Sequence, residues 1–366
     1  MIFTCKVSTL SEAISNVSHA VMAKSNVPAL EGILITTIDG GVRLSGYNLE
    51  LGITTDIDAS VAKEGSAVFS ARLFGDIVRK LPDERVKISV DEKLGVSITS
   101  GAAVFDIIAV SPAEYPELPT VDSDEKFTLS QPMLKSMIRQ TIYAVSDDET
   151  RPVHTGIKFD VEGGFLKLVA INGVCLAIRT EKINIDKDFS FVVPGKTMNE
   201  LLKLLDDDEE SSVTVCVGKR QISFKVNNYN IYSRLLDGEF IDYNASIPAS
   251  QKTEVYISTR KLISCVDRAS LIISEKVKSP VRCIFGENML KISCITILGK
   301  SYDEIEVNMS GEEVEIGFNN RYLIETLRAA ETDYVRIILN GSFSPIKILP
   351  AEGDSFLFLI LPVRLK

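Results

Sequence analysis

Tryptophan is absent from this 366-residue chain, histidine occurs only twice, and no two of its six cysteines form a C-x-x-C pair. The cysteines (Cys5, Cys175, Cys216, Cys265, Cys283, Cys294) stand singly in apolar stretches such as Val215-Cys216-Val217. That is the pattern of buried free thiols in a reducing compartment, not of a disulfide framework or a zinc site. His19 and His154 fall in no metal-ligand or Cys–His arrangement, so no metal is expected. No G-x-S-x-G, Walker A or dinucleotide fingerprint occurs, and Gly40-Gly41 and Gly163-Gly164 read as hairpin turns. A catalytic role and a bound cofactor are both unexpected. No apolar run reaches the roughly 18 residues that span a bilayer, the longest being 356–363, so no membrane partner is expected. The start, Met1-Ile2-Phe3-Thr4-Cys5-Lys6, lacks the basic and apolar regions of a secretory signal, and a cytoplasmic location is expected.

What is present is a repeat. Leu10, Ile14, Val17 and Val21 keep helical spacing. The same places 124 residues on hold Leu134, Ile138, Thr141 and Val145, and a further 128 on hold Leu262, Val266, Ala269 and Ile273. Such a stripe is the buried face of an amphipathic helix. Thr9-x-x-Glu12 has the form of a capping box for the first copy, and Ser130 with Pro132 opens the second. Pro28, Pro152 and Pro280 follow in register, and each copy then turns to short strands punctuated by glycine or acidic turns. In copy one these are 32–38, 42–47, 53–61 and 67–70, then 86–90, 96–99 and 104–110. A second helix is expected at 71–81, 195–205 and 320–330. The fold class is therefore α+β: three repeated domains, 1–122, 123–250 and 251–366, each with two helices and about eight strands.

A net charge of −10 argues against nucleic acid until the charges are located. The windows 8–24, 70–81, 130–145, 194–205, 258–273 and 319–330 hold thirteen basic residues against five acidic, a surplus of eight that leaves −18 elsewhere. Each second helix repeats a basic pair seven residues apart: Arg72 and Arg79, Lys196 and Lys203, Arg321 and Arg328. Seven residues is nearly two turns, so each pair lies on one face. A solvated helix face explains one such pair, and three equivalent pairs point to an array of cations, joined by Lys24, that meets phosphates without reading sequence.

Local motifs complete the picture. Arg234-Leu235-Leu236-Asp237-Gly238-Glu239-Phe240-Ile241-Asp242-Tyr243, Arg151-Pro152 followed by Gly156, and the terminal Leu359-Ile360-Leu361-Pro362-Val363-Arg364-Leu365 before Lys366 occur in this order. Together they resemble the β subunit of bacterial DNA polymerase III, the family of β sliding clamps, over the whole chain. The resemblance implies a non-enzymatic, head-to-tail homodimer: a six-domain ring around double-stranded DNA, helices inside and sheet outside. Phe105, Leu271 and Ile272 match its dimer contact. An apolar pocket between the second and third domains would take short linear motifs of the polymerase III catalytic subunit, the clamp loader, repair polymerases and ligase. Matching pocket positions are Arg151, Gly173, Leu176, Leu359, Ile360, Leu361 and Pro362.

Two departures stand out. The family's Ala-Thr-Asp-Gly-His-Arg-Leu is here Ala170-Ile171-Asn172-Gly173-Val174-Cys175-Leu176, which implies a smaller, less polar wall and an altered peptide preference. The loop Asp147-Asp148-Glu149 is acidic near where the family approaches DNA. A repeat-built protein scaffold that never surrounds DNA explains the repeats but not the cation pairs.

Overall fold

The computed structural model describes residues 1–121, 125–273 and 279–365; the expected seam at 122/123 and Lys366 lie outside them. Six α-helices occur among the described residues: α1 (Val7–Val17), α2 (Ala71–Val78), α3 (Gln131–Thr141), α4 (Gly195–Leu204), α5 (Thr259–Ala269) and α6 (Asn320–Ala329). None is long and apolar enough to cross a membrane.

The first helix of each copy is shorter than its apolar stripe. All three continue into one 3-10 turn, Ser18–Ala20, Ile142–Ala144 and Ser270–Ile272. The fourth stripe residue, Val21, Val145 or Ile273, is already extended. A hydroxyl at each helix end takes the carbonyl four residues back: Ser18 to Ile14 (2.5 Å), Thr141 to Met137 (2.8 Å) and Ser270 to Val266 (2.6 Å). The expected box at Thr9 and Glu12 does not form, because α1 begins at Val7 and Lys6, its N-cap, makes no side-chain bond. Instead the first amide of each helix is tied to a distant carbonyl: Val7 to Glu84 (2.8 Å), Gln131 to Ser211 (3.1 Å) and Thr259 to Asp333 (2.9 Å). Tertiary bonds thus satisfy one of the four orphan donors at each helix start.

The chain forms two compact units, residues 1–132 with 200–235, and residues 133–199 with 236–366. In the first unit a five-stranded antiparallel sheet runs Ser60–Lys63, Ile2–Lys6, Arg85–Val90, Gly95–Ser100, Ala103–Ile108. Its eight-stranded sheet joins the first copy to strands of the second where Tyr229–Arg234 pairs with Leu51–Asp58, Ile231 opposite Ile53. The strand expected over 53–61 is divided: Leu51–Asp58 stays in this sheet while Ser60–Lys63 crosses to pair with Ile2–Lys6. The core is apolar and close-packed, with Phe3, Leu10, Ile14, Phe69 and Phe74 fully buried.

The second unit has a nine-stranded sheet in which Cys175–Lys182 pairs with the C-terminal strand Phe356–Ile360. Its four-stranded sheet ends at Gly299–Glu306. Phe159, Phe318, Phe356 and Phe358 are fully buried in this unit. Gly40, at φ +72°, and Gly163 and Gly164, at +58° and +80°, make hairpin turns as expected.

Candidate functional sites

In α2 the buried residues are Phe74, Gly75, Ile77 and Val78, and Arg72 projects from the other side. The helix stops at Val78, so Arg79 is its C-cap, not an interior residue. Lys196 and Lys203 lie exposed on α4, and Arg321 and Arg328 on α6, opposite Leu323, Ile324 and Leu327. Lys24 is not helical: α1 and its 3-10 turn end before it, and it stands exposed in the 21–27 loop. Lys135, one of the thirteen basic residues, is buried.

In each seven-residue pair one cation is held by a carboxylate of its own helix and the other is not. Arg79 meets Asp76 at 2.5 Å, Lys203 meets Glu200 at 2.7 Å, and Arg321 meets Glu325 at 2.8 Å. Arg72, Lys196 and Arg328 make no ion pair among the described residues. Glu200 also faces His19 Nδ1 at 3.3 Å. Arg79 shares a shallow cleft with Asp83 and Glu84. The acidic loop is folded on itself, Asp148 Oδ1 accepting the Thr150 amide at 3.0 Å, and hydrogen bonds from the Thr150 side chain first and its amide second hold the Asp148 carboxyl below its usual range. Asp147 acts electrostatically on Arg321.

Among the described residues, two edge strands carry exposed large apolar side chains. The five-stranded sheet ends at Ala103–Ile108, where Val104, Phe105 and Ile108 are 57%, 37% and 82% exposed. In the second unit Leu271, 82% exposed, and the half-buried Ile272 sit on the 3-10 turn after α5. Ser301 Oγ donates to the Ala269 carbonyl at 2.8 Å, and Arg268 pairs with Asp303 at 2.6 Å. Both bonds fix that turn to Gly299–Glu306, an edge strand carrying the exposed Tyr302. Edge strands with apolar side chains are templates for a further strand.

An apolar cluster at the expected peptide-binding position is built on the hairpin of Phe165–Ile171 and Cys175–Lys182. Asn172 Oδ1 accepts from the amides of Val174 (3.0 Å) and Cys175 (2.8 Å), and Gly173 adopts φ +84°. Nothing lies within 4 Å of where a Gly173 side chain would begin, so conformation alone calls for glycine there. Leu176 stands opposite Leu359, and the Leu361 amide donates to the Val174 carbonyl at 2.9 Å. Leu176 and Leu359 pack with Val169, Ile178 and Tyr243, flanked by Ile171, Phe240, Ile247 and Leu357. Just past the strand, Leu361 is 44% exposed and Pro362 half-buried.

Strand alternation corrects one expectation. Cys175 does not wall this cluster: it is buried on the other face, its Sγ 3.9 Å from Thr326 Oγ1 of α6, with the thiol pushed up to about 12 by burial. Ile360, opposite Cys175, shares that helix side and is also fully buried. Of the altered wall residues, Ile171 packs on the cluster and Val174 stays half-buried at the turn.

Several residues beside this cluster carry no signal in the apolar or charge pattern. Tyr243 donates its hydroxyl to Asp160 Oδ2 at 2.7 Å, and Lys158 Nζ takes the same oxygen at 3.1 Å. Lys158 also lies 5.5 Å above the Tyr243 ring. His154 meets Phe240 edge-on at 5.5 Å, linking the exposed Arg151 turn to the cluster. Phe343 is 79% exposed on the loop before Ile346, which pairs with Ile360. The 234–243 motif was the available signal for Phe240 and Tyr243.

The chain matches models of the DNA polymerase III beta subunit N-terminal domain over residues 1–119, its central domain over 128–242 and its C-terminal domain over 244–364. It is 35% identical to the beta sliding clamp of Halalkalibacterium halodurans over 96% of each chain, and 34% identical to that of Bacillus subtilis over the whole of both. The solved sliding clamp of Bacillus subtilis superposes with a TM-score of 0.96 at 34% identity, covering 100% of both chains. The DNA polymerase beta subunit of Streptococcus pyogenes gives 0.94 at 28%, again over 100% of both. Three matching domain models and full-length relatives above 30% identity decide the matter: this chain belongs to the DNA polymerase III beta subunit family, the sliding clamps, non-catalytic rings that hold the replication machinery on DNA.

Proposed function

We propose that two copies of this chain close head to tail around duplex DNA. The open edge at Ala103–Ile108 of one copy meets the edge at Gly299–Glu306 of the other. The apolar Val104, Phe105, Ile108 and Leu271, exposed in the single chain, support this pairing, since a closed ring removes edges that otherwise invite aggregation. The domains run 1–122, 123–250 and 251–366. Lys24, Arg72, Arg79, Lys196, Lys203, Arg321 and Arg328 face the phosphates, and cations that hold phosphate without reading bases leave the ring free to slide. The ring works in the cytoplasm, with the chromosome.

The cluster of Leu176, Leu359 and Tyr243, with Leu361, Pro362 and Arg151 at its rim, receives short extended peptides of the polymerase III catalytic subunit, the clamp loader, repair polymerases and ligase. Ile171 and Val174 set the preference of this pocket, favouring apolar anchors over polar ones. The observation that carries the reading is the cluster of apolar side chains zipped to the C-terminal strand beside a half-exposed Leu361. The test is retention on nicked circular DNA after loading with a compatible clamp loader and ATP, followed by linearisation. A clamp stays on the circle and runs off the free ends; equal loss from both forms sinks the reading.

A further inference from the structure

We propose that Asp76, Glu200 and Glu325 are tuning residues that weaken this protein's grip on DNA by each occupying one of the two cations in its helix pair. The inference rests on the DNA-facing reading of the helices given above. Its ground is a division repeated three times: Arg79–Asp76 (2.5 Å), Lys203–Glu200 (2.7 Å) and Arg321–Glu325 (2.8 Å), against the unpaired Arg72, Lys196 and Arg328. The three acids share one repeat position, four residues after the first cation of each pair and three before the second. Asp76 and Glu200 hold the second cation of their pairs, while Glu325, at the same spacing, holds the first, Arg321. The shared position puts each carboxylate within i+3 or i+4 reach of both cations of its pair, and in each helix it holds one and leaves the other free.

The held cations remain at the surface, with Arg79, Lys203 and Arg321 side chains 54%, 50% and 74% exposed. A phosphate can reach them, but it must compete with a carboxylate already in place. Arg79 has further acids at hand in Asp83 and Glu84, and Arg321 lies in the field of Asp147. Arg72, Lys196 and Arg328 therefore carry most of the phosphate contact. The carboxylates keep the number of released counterions low, as suits a protein that holds DNA by enclosure and moves along it. Each phosphate contact adds about 0.9 to the slope of log K against log salt, so freeing three cations steepens the slope by up to about 3 per protomer.

The experiment measures the salt dependence of binding to a short blunt duplex for the full-length assembled protein in four forms: wild type, Asp76→Asn/Glu200→Gln/Glu325→Gln, Arg72→Gln/Lys196→Gln/Arg328→Gln, and Asp56→Asn/Glu315→Gln. The last removes acids paired with Arg43 and Arg282 on strands, away from the six helices. The acid-neutralised helices are expected to steepen the slope and slow diffusion along DNA, the cation variant to flatten the slope, and the strand variant to leave it within about 0.5 of wild type. A flattened cation variant beside an unchanged acid variant overturns the tuning role while keeping the helices as the DNA face. An equal steepening in the strand variant overturns it too, because net charge alone then explains the effect. No change in any form removes the DNA-facing reading and this proposal with it.

Discussion

Replacing Tyr243 with phenylalanine deletes one oxygen and keeps the ring, which separates the two things this residue does. The hydroxyl donates to Asp160 Oδ2 at 2.7 Å, and the ring packs with Leu176, Leu359 and Ile178. A hydrogen bond to a charged group is worth about 1.5–3 kcal/mol. Asp160 and Lys158 are 19% and 18% exposed, so water replaces part of the lost bond, and Lys158 still holds the same carboxylate oxygen at 3.1 Å. The expected destabilisation is therefore at the low end, about 1.5 kcal/mol. Since the chain has no tryptophan, urea unfolding is best followed by circular dichroism, with Asp160→Asn and the double variant completing a cycle. Peptide affinity should change less than threefold in Tyr243→Phe and fall at least tenfold in Tyr243→Ala, these being order-of-magnitude expectations for keeping or losing a buried aromatic anchor. The reasoning is wrong if Tyr243→Phe unfolds at the wild-type midpoint, or if both variants lose affinity equally.

Burial pushes the thiols of Cys5, Cys175, Cys265 and Cys283 up to about 12 from an ordinary 9.0, so the native state holds their protons more tightly than the unfolded chain. Their contribution is whole below pH 9 and is lost as pH rises towards 12; unfolding free energy that stays flat between pH 9 and 11 would contradict this. Native alkylation should mark Cys216 first, since the other five cysteines are buried, and peptide mapping after brief iodoacetamide treatment checks it. Ile108→Asp places a charge on the open edge of the five-stranded sheet and should give monomers in sedimentation velocity without loss of secondary structure. Gly173→Ala forces a side chain into φ +84° and should cost about 1–2 kcal/mol, read as a lower unfolding midpoint, despite the empty space around it.

The sequence disclosed the repeat and the helices because an apolar stripe is a local signal, and Leu10, Leu134 and Leu262 could be aligned by offset alone. Helix ends were illegible because their determinants are tertiary: α1 starts where Val7 finds Glu84, not where Thr9 and Glu12 offer a box. Strand partners were equally hidden. Nothing in 53–61 marks where the chain leaves one sheet for another, since both halves are ordinary strand sequence and only the pairing with Ile2–Lys6 or Tyr229–Arg234 distinguishes them. Cys175 was misplaced for a different reason. The motif places Cys175 and Leu176 side by side in sequence, while strand alternation sends one to α6 and the other to the apolar cluster with Leu359 and Tyr243.

The same distinction governs the charge argument, where counting told less than pairing. Thirteen basic residues in the helical windows gave a surplus of eight, yet Lys135 is buried, and Arg79, Arg139, Lys203, Arg268 and Arg321 each lie in an ion pair. Lys24, Arg72, Lys80, Lys196, Arg260, Lys261 and Arg328 are left exposed and outside any ion pair among the described residues. A surface ion pair is worth at most about 1 kcal/mol, so under the proposed DNA-facing reading the held cations are not removed from use but reach phosphate only by competition. On that reading the protein lies between two failures. With too few free cations the DNA is not centred, and with too many each step along it must break several phosphate contacts at once. The sorting of cations by nearby carboxylates, rather than their number, is what the structure adds to the sequence.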